Sequence, residues 1–265
     1  MYLMCDPENF DISYQINPWM ADVGDVNLVK AKSQWNFLKG NIESITGQEV
    51  EVMQSQPGLP DLVFTANAGV LHKNIFIPSN FFHEERRGES KHFAKWFSDK
   101  GYDVVELDER LHHEGMGDSF IYGDYLIGGY GFRTSKESQK IVSEILDLDL
   151  VEVKLKDPRF YHLDTCFSIV DKYKRVAIYY PGAFEESFAK DIENIGLELI
   201  PVSESEAMRF ACNLITNHKD AIIMPNECPD ITMELTRRRY NVLDINMTEF
   251  IKSGGACKCC VLEVP

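Results

Sequence analysis

No stretch of this 265-residue chain is long and apolar enough to form a membrane-spanning helix. The N-terminus, MYLMCDPENF, lacks a basic region followed by an apolar run, so it does not read as a secretory signal. An intracellular, cytoplasmic protein is expected. Positive charge is scarce: Lys+Arg number 27 against 42 Asp+Glu, a net charge of −15. That balance disfavours nucleic acid and anionic membrane as partners and mildly favours a cationic small molecule. The seven cysteines are odd in number, which argues against a disulfide framework in such a compartment. The terminal C-x-C-C run lacks the paired C-x-x-C spacing of a structural zinc site, and no H-x-x-x-H partner accompanies it. No metal and no other cofactor is expected. Linkers and low-complexity segments are also missing, so residues 1–265 read as a single domain.

What the chain does have is repetition, with a period of about fifty residues. Runs beginning at Asp61, Asp118, Asp164 and Asn213 each join two short β-rich stretches through a polar turn, such as Tyr122-Gly123-Asp124. This is the signature of a β-hairpin. A helical stretch and one more strand follow each hairpin, and the N-terminal segment supplies a further helix and strand. The next step of the repeat lands on Cys259. A fifth hairpin there needs the C-terminal segment CCVLEVP to pair with an N-terminal strand, expected at DISYQI. The reading is an α/β fold of five ββαβ units closing on themselves as a propeller with pseudo-fivefold symmetry, an arrangement that leaves few exposed sheet edges.

Aligning the units places Asp61, Asn67, Glu114, Asp118, His162, Asp164, Asn213 and Cys259 at or near the start of a first strand, facing a common axis. Buried carboxylates are costly unless a donor or cation pairs with them. Several around one axis therefore point to a cationic, hydrogen-bonding group, and a planar guanidinium suits them. A thiol becomes nucleophilic when a nearby positive charge lowers its pKa, and a histidine can protonate a leaving amine and then activate water. Taken alone, His162 reads more often as a structural histidine than as a catalyst, and Asp118 after Gly117 can read as a turn former. Cys166 and Cys212 read as core residues. On a strand, Cys257 and Cys259 share a face, so spacing does not choose between them.

The segment GGACKCCVLEVP resembles the C-terminal nucleophile segment of the guanidino-group-modifying (pentein) superfamily, in which a glycine pair and often a basic residue precede the catalytic cysteine. That resemblance selects Cys259, with Lys258 as the basic neighbour. YHLDT resembles the H-L-D-T element, implying His162 as general acid/base and Asp164 as a guanidinium ligand. HEGMGD resembles E-G-x-G-D, implying Glu114 as a second guanidinium carboxylate. GFRTS resembles the segment whose arginine, here Arg133, meets the substrate carboxylate. DLVFTANA resembles the segment carrying a third acidic ligand in arginine deiminases, but this chain has Asn67 there. Together with YQINPWM and FHEERRGE, it resembles the branch of arginine dihydrolase, dimethylarginine hydrolase-like and amidinotransferase-like proteins. Asn17, Phe64, Asn67 and Arg86 are then implied to line the substrate pocket, with Arg86 near the substrate carboxylate. Asp61 and Asp118 join the candidate substrate-binding set by register. The family's five-bladed fold agrees with the repeat. The implied activity is cysteine-dependent hydrolysis of the guanidino group of arginine or a close derivative through a thiouronium, most simply to ornithine. Dimethylarginine hydrolase, deiminase, amidinotransferase and non-catalytic binding protein are the alternatives. A small guanidino compound is the expected partner, and a homo-oligomer stays open.

Overall fold

The computed structural model describes residues 1–264. The strands are β1 Tyr2–Cys5, β2 Val50–Met53, β3 Gly69–His72, β4 Ile75–Pro78, β5 Asp103–Val104, β6 Ser119–Tyr122, β7 Tyr125–Tyr130 and β8 Asp149–Lys154. There follow β9 Phe167–Asp171, β10 Val176–Tyr179, β11 Glu198–Pro201, β12 Ile215–Thr216, β13 Ala221–Pro225, β14 Asn241–Ile245 and β15 Leu262–Glu263. The helices are α1 Leu28–Thr46, α2 Glu84–Arg87, α3 Ser90–Asp99, α4 Lys136–Leu146, α5 Phe188–Asn194, α6 Glu204–Ala207, α7 Pro229–Arg237 and α8 Thr248–Ile251. None is long and apolar enough to cross a membrane among the described residues.

Five three-stranded sheets result: β3-β4-β5, β6-β7-β8, β9-β10-β11, β12-β13-β14 and β15-β1-β2. In each, the first two strands pair antiparallel and the last two pair parallel. Parallel strands need a crossover connection, which is why a helix stands between the second and third strand of every unit. The sequence supports these helices locally. Asn27 caps α1 by accepting from Lys30 N, and Gly47 ends it in the left-handed conformation at φ 65°. Ser135 caps α4 by accepting from Ser138 N. Phe76 of β4 stacks on Phe97 of α3 at 3.8 Å, and both rings are fully buried. Burial of each such ring contributes about 2–3 kcal/mol.

The fifth sheet joins the two ends of the chain, and here two expectations are corrected. The N-terminal partner is Tyr2–Cys5, with Leu3 opposite Leu262, while DISYQI (11–16) forms no strand. All four residues of β1 are buried, so Tyr2–Cys5 reads as a short continuous apolar run rather than an alternation. Of CCVLEVP only Leu262–Glu263 is strand, and its last residue lies outside the described residues. Cys257 to Cys260 form a turn, so strand alternation does not decide which way their side chains point.

The units share one further feature. A tight 3-10 turn leads into three of the first strands: Thr65–Ala68 before β3, Gly115–Gly117 before β6 and Leu163–Thr165 before β9. These turns, with the loop at Asn213 and the turn at Cys259, carry the polar residues that the repeat singles out.

Candidate active site

A narrow cavity opens where these turns meet. Asn17, Asp61, Phe64, Asn67, Arg86, Arg133, His162 and Cys259 line it. Glu114, Asp118 and Asp164 stand immediately behind that wall, fully buried; Glu114 bonds to His162 and Asp164 to Cys259, while Asp118 lies 4.0 Å from His162. All eleven candidate residues therefore fall in one place.

Cys259 is held from three directions. Its backbone N–H donates to Asn213 Oδ1 at 3.1 Å, and its carbonyl accepts from Ala66 N at 3.0 Å. Its Sγ receives Asn213 Nδ2 at 3.1 Å and donates to Asp164 Oδ2 at 3.4 Å. Burial and the Asp164 charge together push the thiol well above its ordinary pKa. A cation beside Cys259 would offset both effects and favour the thiolate.

Asp164 is prepared for such a cation. Burial raises its pKa from 3.8 to about 6, against the opposing charge of Lys258. Its Oδ2 is engaged by Cys259, but Oδ1 is buried with no partner. An orphaned carboxylate oxygen costs free energy, and a guanidinium N–H would satisfy it.

His162 Nε2 lies 2.7 Å from Glu114 Oε2. That same oxygen accepts from Arg133 Nη1 at 3.1 Å, while Oε1 accepts from Phe82 N at 3.2 Å. Burial works against ionised Glu114, yet Arg133 and His162 hold its carboxyl well below the usual range. Both of its oxygens are occupied, so in this state Glu114 orients His162. Asp118 sits behind the same ring, 4.0 Å from Nε2. It accepts from Thr134 Oγ1 at 2.6 Å and Leu163 N at 3.0 Å, and burial raises its pKa to about 6.

Arg86 is fully paired from within the protein. It makes a two-pronged contact with Glu89 at 2.8 and 2.9 Å, and donates to Asn67 Oδ1 at 3.0 Å and Asp61 O at 3.2 Å. Burial opposes its charge, but Glu89 outweighs that effect and keeps the guanidinium cationic. With Asn67 Oδ1 taken by Arg86 and Nδ2 donating to Glu114 O at 3.2 Å, the amide orientation is set. Arg133 also donates to Ile16 O at 2.9 Å and lies over the Tyr161 ring at 4.4 Å. Asp61 accepts from Tyr14 OH at 3.0 Å and Ser253 Oγ at 3.1 Å. Asn17 caps the turn Pro18–Met20 and donates to Ser253 O at 3.0 Å.

Two glycines leave no room for a side chain against the site. A Cβ on Gly255 would stand 2.4 Å from the Phe64 ring, and one on Gly117 would stand 2.2 Å from Asn67 Nδ2. The Gly254–Gly255 pair therefore exists to bring backbone against the cavity wall.

Sequence reasoning placed Asn213 on the axis without a role, and it missed Glu89, Tyr161 and Ser253. Glu89 had a detectable signal, since Arg86 and Glu89 lie three apart at a helical turn. Tyr161 and Ser253 gave none. Among the described residues no cluster of three His, Cys, Asp or Glu side chains is arranged to hold an ion.

Residues 12–265 match the family model described as N,N dimethylarginine dimethylhydrolase, eukaryotic. A bifunctional arginine dihydrolase/ornithine cyclodeaminase, AgrE, from Nostoc sp. is 39% identical over 99% of this chain. The chain spans 37% of that relative's length. An N(G),N(G)-dimethylarginine dimethylaminohydrolase from Mycobacterium tuberculosis is 33% identical, over 99% of this chain and 85% of its own. Among solved structures, the N-terminal domain of ArgZ, a cyanobacterial arginine dihydrolase, superposes with a TM-score of 0.92 at 36% identity. The match covers 98% of this chain and 96% of that one, which is a cysteine-to-serine variant bound to substrate.

Proposed function

The chain belongs to the N,N-dimethylarginine dimethylhydrolase family, and on that premise we propose that it is an arginine dihydrolase-type enzyme with Cys259 as nucleophile. The observation that carries the reading is the buried Asp164 carboxylate, with one oxygen against the Cys259 sulfur and the other without a partner. A guanidinium placed there pairs the open oxygen and supplies the positive charge that the thiolate needs.

The steps follow from the positions. Cys259 Sγ attacks the central guanidinium carbon, with Asn213 Nδ2 donating to the sulfur. The C–N bond to the departing nitrogen breaks, and His162, oriented by Glu114, protonates it as ammonia. Water deprotonated by His162 then attacks the resulting thiouronium carbon, releases the thiolate and leaves a ureido compound. A second round on the ureido carbon, with a second water, yields ornithine, a second ammonia and carbon dioxide. Asp61, Phe64 and Asn17 shape the pocket, Arg133 is the available partner for the substrate carboxylate, and Arg86 acts by fixing Asn67. Asn67 favours the second round because an amide both donates and accepts, so it can hold a neutral ureido group where a carboxylate cannot donate.

We infer further that the five sheets close into a five-bladed propeller and that residues 1–265 form one catalytic domain. Pairing of β15 with β1, and the bonds that Ala66, Asp164 and Asn213 make to Cys259, support this. A cytoplasmic setting agrees with seven free, buried cysteines. The family model favours one other reading, hydrolysis of dimethylarginine to dimethylamine. Incubation with arginine and, separately, dimethylarginine, with products identified by mass spectrometry, decides between them. Ornithine without accumulating citrulline supports the proposal. Citrulline alone, or turnover of dimethylarginine only, overturns it.

A further inference from the structure

A second and much larger cavity lies further along the same first strands. Asn67, Asp118, Asp164 and Asn213 stand at the catalytic ends of β3, β6, β9 and β12. A few residues on, at roughly 3.3 Å each, those strands reach the second cavity through Leu71, Phe120, Ile169 and Ile215. Lys258 belongs to both regions. Its backbone N–H donates to Asn213 O at 3.3 Å, beside the nucleophile, while its side chain lines the second cavity.

The charge of this cavity runs against that of the molecule. The chain carries 42 acidic and 27 basic residues, yet Lys172 and Lys258 face the cavity against a single carboxylate, Glu263, beside His72 and His218, whose neutral forms burial favours. Neither lysine is in an ion pair among the described residues, and Lys258 Nζ has only the Val261 carbonyl, at 3.2 Å. His218 Nδ1 is buried without a partner. Apart from Ser168 and Thr216 the rest of the wall is largely apolar, with Phe120, Ile169, Leu214 and Val261 well buried. Two lysines without ion-pair partners, beside a largely apolar surface, select a molecule with an anionic head and a hydrophobic body.

We propose that this cavity is a binding site for a small organic carboxylate with an apolar body, distinct from the guanidino site. The carboxylate lies between Lys172, Lys258 and His218, and the body rests on Phe120 and Ile169. The proposal does not depend on the reaction assigned above, so its test reads binding directly. The probe is 4-(trifluoromethyl)phenylacetate, titrated into the full chain and followed by fluorine NMR. Saturable binding with a Kd near or below about 1 mM is expected. The matching neutral amide should bind at least tenfold more weakly, as should the carboxylate to Lys172→Glu, a change at an exposed position that circular dichroism will show to be folded. L-arginine and inorganic phosphate should leave binding unchanged. Failure to saturate by about 10 mM, equal binding of the amide, indifference to Lys172→Glu, or displacement by L-arginine or phosphate would each overturn the proposal.

Discussion

Replacing Asp164 by Asn should make the protein more stable and nearly inactive. In the fold, burial raises the Asp164 pKa from 3.8 to about 6. Each unit corresponds to about 1.4 kcal/mol, so ionised Asp164 costs the folded state about 3 kcal/mol at neutral pH. The sign follows from proton uptake. Between pH 4 and 6 the folded state holds a proton that the unfolded state has lost, so this group's contribution to stability falls as pH rises through that window. Asn carries no charge at any pH and escapes the penalty. Urea unfolding of both proteins from pH 4 to 7.5 should show the variant gaining on the wild type as pH rises. The gain should level off near about 1–3 kcal/mol above pH 6, part of the 3 being lost to imperfect amide hydrogen bonding. Turnover should fall by roughly 10²–10³-fold, as when one charge-stabilising group is removed from an active site. A stability difference that does not change between pH 4 and 7, or a variant less stable than wild type at pH 7, would refute the reasoning.

Glu89→Gln should destabilise the protein by about 3 kcal/mol, because it leaves Arg86 buried without its carboxylate. Urea unfolding measures that, and KM should rise as Asn67 loses its fixed partner. Gly117→Ala should raise KM or abolish turnover, since the new Cβ would lie 2.2 Å from Asn67 Nδ2, while circular dichroism stays native. Asn213→Leu should slow turnover by roughly 10–100-fold, the worth of a hydrogen bond to a charged group, and should slow alkylation of Cys259 by iodoacetamide.

The repeat was legible because each hairpin carries its own turn chemistry and each crossover helix its own period, both local properties. The fifth unit was harder. Its two halves lie at opposite ends of the chain, and β1 is four buried residues whose apolar run has no alternation to read. DISYQI alternates polar and apolar residues as a strand does, yet forms none. The cysteine turn was misread as strand because residues 257–260 carry no turn signal beyond the glycines before them. At the site, the identities of Cys259, His162 and Asp164 follow from motif and register, but their partners do not. That Glu114 faces His162 and Arg133, or that Arg86 is spent on Glu89 and Asn67, depends on contacts between turns far apart in sequence or on one short helix. Asn213 was visible as a polar residue at a strand start. Its two bonds to Cys259 become apparent only when the fourth and fifth units are brought together.

The central claim is that Cys259, and neither of its cysteine neighbours, performs the chemistry. Arginine turnover should be measured for Cys259→Ser beside Cys257→Ser and Cys260→Ser, with peptide mass spectrometry of acid-quenched wild type. The account predicts a loss of roughly 10⁴-fold or more for Cys259→Ser, turnover within tenfold of wild type for the other two, and an arginine-derived adduct on the Cys259 peptide. Cys259→Ser turnover within tenfold of wild type, or an adduct on Cys257 or Cys260, would contradict it.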